Sequence, residues 1–412
     1  MVYARLGDLE YADAIFDADP AFYRRWSLSD LRHPAVAALF LPLQALARIA
    51  EVVWNVDRIA AERTMGLLVP PMVQAALAVI VAMLGRRLIG SQYATALAVL
   101  VFVSAANVTI GVIPESYALS ATAIAAALLL GTYPFSRQTI PWWLAAGAFA
   151  GAVTSTNLVL ISAVLWTSLL VVDRRRIVDA TRVAGVMAIG MALGLIGLIV
   201  VSAVRMETRG LYHLPGTSWT APGGPDFMAP RRYAYWRELP VSIATAVVAP
   251  FQANEMPRDD IRAFWDAMAI GRVPEPPRIL PPGTFATRPP LRRQRAVTMA
   301  GLDIRASAVA SVTAILLVAV VFGARTLSAS SVSGRFVVLA GVGVLLLSAV
   351  FIWCRHGLDF FLFTPFWLVP EALALAGLAF RFPPRWQARV LWSIVATTAV
   401  VSARLVLQIV GR

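Results

Sequence analysis

At 412 residues, 59% hydrophobic and 14% charged, with a mean hydropathy of +0.71, the chain departs from soluble globular proteins, which run near ~45–50% apolar and ~25% charged. The net charge of +13 comes from 36 basic residues, every one an arginine, so a lysine Schiff base and a Walker-type phosphate lysine are excluded. Cys354 is the single cysteine, which rules out an internal disulfide framework. The composition is that of an all-α, polytopic transmembrane helical bundle.

The chain opens on a carboxylate-rich segment holding Asp8, Glu10, Asp13, Asp17 and Asp19, followed by Asp30-Leu31-Arg32-His33-Pro34. A carboxylate can accept a proton, and Arg32 and His33 can pair a phosphate, which is the equipment that transfer from a phosphate leaving group needs. The bland alternative is a solvated acidic loop, with Asp8 paired to Arg5 or Arg24. The run 35–54 is long enough to span but carries Pro42, Arg48 and Glu51. It reads as an interfacial or re-entrant helix pair, because an ordinary span here would reverse the arginine assignment of every later loop.

About 20 apolar residues cross hydrocarbon. Runs approaching or exceeding that length fall at 64–84, 93–113, 117–132, 140–155, 158–172, 183–204, 304–323, 336–354, 359–380 and 388–410, or about ten spans. Arginine excess belongs on the cytoplasmic side. One of the two alternating assignments collects Arg86, Arg87, Arg137, Arg174 to Arg176, Arg325, Arg335, Arg381 and Arg385 on a single face and leaves only Arg355 in the short opposite loops 114–116, 154–157 and 354–359. Four regions follow: 1–63, an outward acidic loop with interfacial helices; 64–204, a six-span module; 205–303, an outward loop or small subdomain; and 304–412, a four-span module. An outward amino terminus needs a route across the bilayer, so a further span upstream of Met1 is expected.

Glu115 stands in Pro114-Glu115-Ser116-Tyr117, directly before a span, where a carboxylate also stabilises a helix start. The region 206–303 holds 14 of the 26 prolines. Its apolar stretch 241–251 is short enough to be re-entrant or interfacial, and the remainder reads as a lid or a solvated linker. Arg355 and His356 close the penultimate outward loop, either as phosphate ligands or as an interfacial anchor beside Trp353. Glu371, after Pro370, is the one acid deep in an apolar run, and an intramembrane acid is a functional candidate by default. The histidines His33, His213 and His356 are dispersed, so no metal site or other cofactor is expected.

The order of these features resembles the GT-C integral-membrane glycosyltransferases, a group that includes the lipid A aminoarabinose transferases and the protein O-mannosyltransferases. The residues that carry the likeness are Asp8 with Tyr11 and Ala12, the Arg32-His33-Pro34 step, Glu115 at the end of the next hairpin, and the late run from Asp359 to Trp367. The resemblance implies a GT-C-like fold and a polyprenyl-phosphate sugar donor reached from the membrane. A lipid, glycan or protein acceptor would approach from the extracytoplasmic side of a bacterial inner membrane. It implies Asp8 as the general base, with Glu10 and Asp13 competing for the role, and Glu115 orienting the acceptor or the base. Arg32, His33, Arg355 and His356 would bind the donor phosphate. Partners are then the lipid-linked donor, the acceptor and membrane lipids, with no nucleic acid. Two rivals stand beside this reading: a lipid or solute transporter or flippase using Glu371 as its working acid, and a non-catalytic assembly subunit. If the topology is right, impermeant reagents will label residues 1–30 in intact cells; protection that is lost only on permeabilisation overturns it.

Overall fold

The computed structural model describes residues 41–56, 58–109, 111, 116–154, 156–172, 182, 184, 185, 189, 243, 247, 250, 251, 307–356 and 364–410. Among the described residues the chain is wholly α-helical, with eleven α-helices and no strand. They are α1 (Leu41–Trp54), α2 (Arg58–Leu88), α3 (Ser91–Val103), α4 (Ala105–Thr109), α5 (Ser116–Gly131), α6 (Ile140–Val153), α7 (Thr156–Val172), α8 (Ser307–Ser330), α9 (Val332–His356), α10 (Leu368–Ala379) and α11 (Pro384–Val410). A short 3₁₀ turn, Thr364–Phe366, leads into α10.

Two stretches among the described residues are long and apolar enough to cross a membrane, Leu68–Leu88 in α2 and Val332–Ala349 in α9. Helices α8 and α9 leave much of their apolar surface uncovered. On α8, Ile315, Val318 and Phe322 are exposed, and on α9, Leu339, Val342 and Leu346. In each trio the spacing is i, i+3, i+7, so one apolar stripe runs up the outside of the helix. A soluble surface rarely carries such stripes, whereas lipid tails cover them without penalty. The shape and composition therefore fit association with a membrane.

Two sequence-derived spans differ in detail. The run 93–113 is split into α3 and α4 at Ser104, whose backbone is extended (φ −62°, ψ 149°). The Ser104 hydroxyl donates to the Val101 carbonyl at 2.8 Å and accepts the Asn107 amide at 3.3 Å, so the side chain ends one helix and caps the next. The described part of the run 359–380 starts as the 3₁₀ turn Thr364–Phe366 and is α-helical from Leu368. Pro365 sits in the 3₁₀ turn just upstream of the helix.

The turns at one end of the bundle lock to one another. Gly90 adopts φ +100°, and its amide and that of Ile89 both donate to the Gly85 carbonyl, closing α2. Arg87 donates to the Thr132 carbonyl at 2.9 Å and covers the Tyr133 ring at 3.8 Å, joining the α2–α3 turn to the α5–α6 turn. Phe336 of α9 packs on Gly131 of α5. The Tyr93 hydroxyl donates to Gln387 at 2.9 Å, and its ring meets Phe380 edge-on at 5.2 Å. Arg381 donates to the Thr326 hydroxyl at 2.7 Å. Arg86, Arg87, Arg137, Arg325, Arg335, Arg381 and Arg385 all stand exposed at this same end, while Arg174 to Arg176 lie outside the described residues.

Helix α10 lies at the centre. It is buried on almost every face, as expected of a helix that is apolar all round. Its contact with α8 is backbone against backbone: a β-carbon added at Gly323 would overlap the Ala374 carbonyl, and one at Gly377 would meet the Gly323 carbonyl. Small residues permit this approach, which maximises dispersion contact where no hydrophobic driving force separates helix from lipid. Gly323→Ala should therefore lower stability by about 1–3 kcal/mol. Gly343→Ala, with no atom within 4 Å of the added carbon, should be neutral or stabilising by up to ~1 kcal/mol. Unfolding midpoints in detergent check the pair, and equal behaviour of the two variants would remove the close-packing argument.

Candidate functional site

At the end of the bundle opposite the arginine turns, several buried polar groups gather around helix starts. In α2, Gln74 is the one amide in a long apolar run, and it donates to the Gly111 carbonyl at 3.1 Å. A β-carbon at Gly111 would collide with Gln74 and approach Asn107 Oδ1, so the glycine lets the chain pass close to both amides. Asn107 donates to the Phe102 carbonyl at 3.3 Å, a local bond across the break between α3 and α4. Asn157 does bridge helices, donating to Ser120 Oγ of α5 at 3.1 Å.

The 241–251 stretch contributes here too. Ile243, Val247 and Phe251 lie four residues apart, and all three pack on the core, Val247 and Phe251 fully buried. The Pro250 carbonyl accepts the Ala106 amide of α4 at 3.1 Å. These four are the described residues of that stretch, and each is buried or half-buried.

The α5 start and the 3₁₀ turn meet across 249 positions of sequence. Tyr117 stacks obliquely on Phe366, with ring centroids 6.3 Å apart and planes inclined 37°. Thr364, Pro365, Phe366 and Trp367 are all buried, and the chain then turns into α10. The first turn of α10 carries Pro370, packed on Gly341 of α9, and Glu371.

Glu371 is the acid that stands out. Its amide donates to the Trp367 carbonyl at 3.2 Å, its side chain is 5% exposed, and neither carboxyl oxygen has a hydrogen-bond partner. The position in the first turn gives the carboxyl the favourable end of the helix dipole, about 0.3–1 kcal/mol. An unsatisfied buried polar group costs about 1–3 kcal/mol, so the dipole does not offset it. Asn157 Oδ1, Ser348 Oγ and Ser402 Oγ are also buried without partners, and each costs less than a carboxyl. A group retained at such expense in the middle of a bundle is a candidate for chemistry or ion passage.

Of the other sequence-derived candidates, Asp8, Glu10, Asp13, Arg32, His33 and Glu115 lie outside the described residues, as do the side chains of Arg355 and His356, the last two residues of α9. The described part of the site is thus built from Glu371 and the residues around it. No three histidine, cysteine or acidic side chains come together among the described residues. Gln74, Ser104 and Gly111 were not singled out in advance, although a lone amide inside an apolar run was a usable signal for Gln74.

No protein family, curated protein or solved structure matches the chain.

Replacing Glu371 by methionine, of similar length and without polar atoms, should raise the unfolding midpoint by relieving an unsatisfied group worth about 1–3 kcal/mol, at the expense of whatever activity needs the acid. A fall in the midpoint would mean that the carboxyl is structurally satisfied.

Proposed function

We propose that this chain is a multi-pass membrane glycosyltransferase of the GT-C kind, with about ten spans in a bacterial plasma membrane, its arginine end cytoplasmic and its active face outward. It transfers a sugar from a polyprenyl-phosphate donor to an extracytoplasmic acceptor. The observation that supports it most is the Tyr117–Phe366 contact. Pro114-Glu115-Ser116-Tyr117 and the run from Asp359 to Trp367 are two of the segments on which the resemblance rests, and their described ends share one end of the bundle. The gathering of arginines at the opposite end supports the orientation.

In this reading Asp8 takes the proton from the acceptor hydroxyl as the hydroxyl oxygen attacks the anomeric carbon. The bond from that carbon to the donor phosphate oxygen breaks, and Arg32, His33, Arg355 and His356 neutralise the departing phosphate. Displacement in one step inverts the anomeric centre and needs one base, unlike the paired carboxylates of a hydrolase. Glu115 orients the acceptor or the base.

Glu371 favours a second reading, a lipid or solute transporter or flippase in which this buried, unpartnered acid binds the coupled ion or substrate.

Transfer from a radiolabelled polyprenyl-phosphate sugar in vesicles separates the two. Asp8→Asn should reduce transfer by about 10²–10⁴-fold, the usual contribution of a general base, and undiminished transfer would remove that role from Asp8. Absence of transfer by the wild type, with substrate movement across the vesicle lost in Glu371→Gln, would establish the transporter reading in its place.

A further inference from the structure

The arginine end is not uniform. Across the turn from α10 into α11, Arg381, Arg385 and Arg389 are exposed with Phe382 and Trp386, and Arg381 reaches the α8 turn that bears the exposed Arg325 and Phe322, the three rings each 43–45% accessible. The sequence 307–330 contains no acidic residue, and neither does 380–412. This corner of the bundle therefore carries four cations and no carboxylate of its own. Their repulsion is aggravated by position, since Arg385 and Arg389 sit near the amino end of α11, where a cation is disfavoured.

One of the four is held in place. Arg381 Nε donates to Thr326 Oγ1 at 2.7 Å, and that hydroxyl in turn donates to the Phe322 carbonyl at 2.9 Å. The guanidinium lies 5.4 Å from the Phe322 ring centre, and Arg389 lies 5.0 Å from that of Trp386. The bond through Nε anchors the fork of the exposed Arg381 and does not use its terminal nitrogens, the pair suited to bidentate contact with a phosphate. Phe322 also ends the exposed apolar stripe of α8 that begins at Ile315. The cluster thus stands where an acyl-chain surface gives way to a polar one, the level at which arginine and tryptophan meet lipid headgroups.

We propose that Arg325, Arg381, Arg385 and Arg389 form a binding site for the headgroup of an anionic phospholipid, its phosphate on the Arg381 fork and its acyl chains along the α8 stripe through Phe322. The proposal rests on the membrane-embedded reading above but not on glycosyl transfer. A diffusible anion would meet the same cations but gain nothing from the stripe, which is why a lipid is the ligand.

The test uses the purified full-length chain in detergent, with dioleoyl-phosphatidylglycerol and dioleoyl-phosphatidylcholine as probes, read by native mass spectrometry and by the shift in unfolding midpoint. The combined variant Arg381→Gln, Arg385→Gln, Arg389→Gln is compared with Arg86→Gln, Arg137→Gln, Arg335→Gln, which removes equal charge elsewhere at the same end. Wild type should retain phosphatidylglycerol in preference to phosphatidylcholine and be stabilised by it. The first variant should lose that affinity by roughly fivefold per arginine, while the second keeps most of it. Arg381→Lys, which preserves charge but not the fork, should fall between wild type and the first variant. Equal losses in the two combined variants would overturn the site and leave only general surface charge, and stabilisation by inorganic phosphate alone to the same degree would overturn the lipid. Failure of the wild type to resist carbonate extraction from vesicles would instead remove the membrane reading itself, a distinct result.

Discussion

The close backbone contact between α8 and α10 organises the rest of the molecule. Gly323 and Gly377 bring two helix axes near enough that α10 disappears into the bundle, where a helix that is apolar on every side meets no polar surroundings. Burial of α10 then decides the environment of everything attached to it. Pro370 seats against α9, the aromatic turn Thr364–Trp367 is drawn into the core, and Glu371 loses access to water. A single bulky substitution at the glycine crossing would loosen all of these together.

The two ends of the bundle solve opposite electrostatic problems. At one, arginines stay at the rim, satisfied by carbonyls, aromatic faces and solvent, with their long stems lying over apolar neighbours. At the other, small amides and hydroxyls end broken helices, and the peptide groups freed by each break are bonded locally, as between Ser104 and Asn107 or Gln74 and Gly111. Irregular backbone inside an apolar medium survives only when its polar groups find such partners. Polar chemistry is thus concentrated where the helices are interrupted, and this is the end that could accept a substrate.

Much of this was readable from the residues. All-helical architecture followed from long apolar runs, and the gathering of the arginine turns at one end followed from simple alternation, because charge at the end of an apolar run has few places to go. Glu371 was legible as an anomaly from its neighbours alone. What the residues did not disclose were properties of three-dimensional packing. Nothing local to Ser104 announced that the helix would end there, since serine is tolerated in apolar helices. The 12-residue length of α10 was obscured because hydropathy scores the buried aromatic turn as if it were helix. That both Glu371 oxygens lack partners depends on which side chains of α3, α8, α9 and α11 surround it, which no spacing rule supplies. The first forty residues, where most of the proposed catalytic groups stand, remain legible in sequence terms alone.

Helix α1 carries three kinds of surface at once. Ala47 and Ala50 press on Ala61 of α2; Leu46, Ile49, Val52 and Val53 are bare; and Arg48 and Glu51 occupy the side between. Asn55, with φ +49°, then bends the chain into α2. No homogeneous solvent can satisfy all three surfaces. Water leaves the valines and isoleucine stranded, and oil strands the two charges, so the surfaces of the helix are all matched only where the two phases touch. On the membrane-embedded reading proposed above, it is a float that sets how high the bundle rides, and whatever lowers or thickens that boundary is felt first at the bend at Asn55.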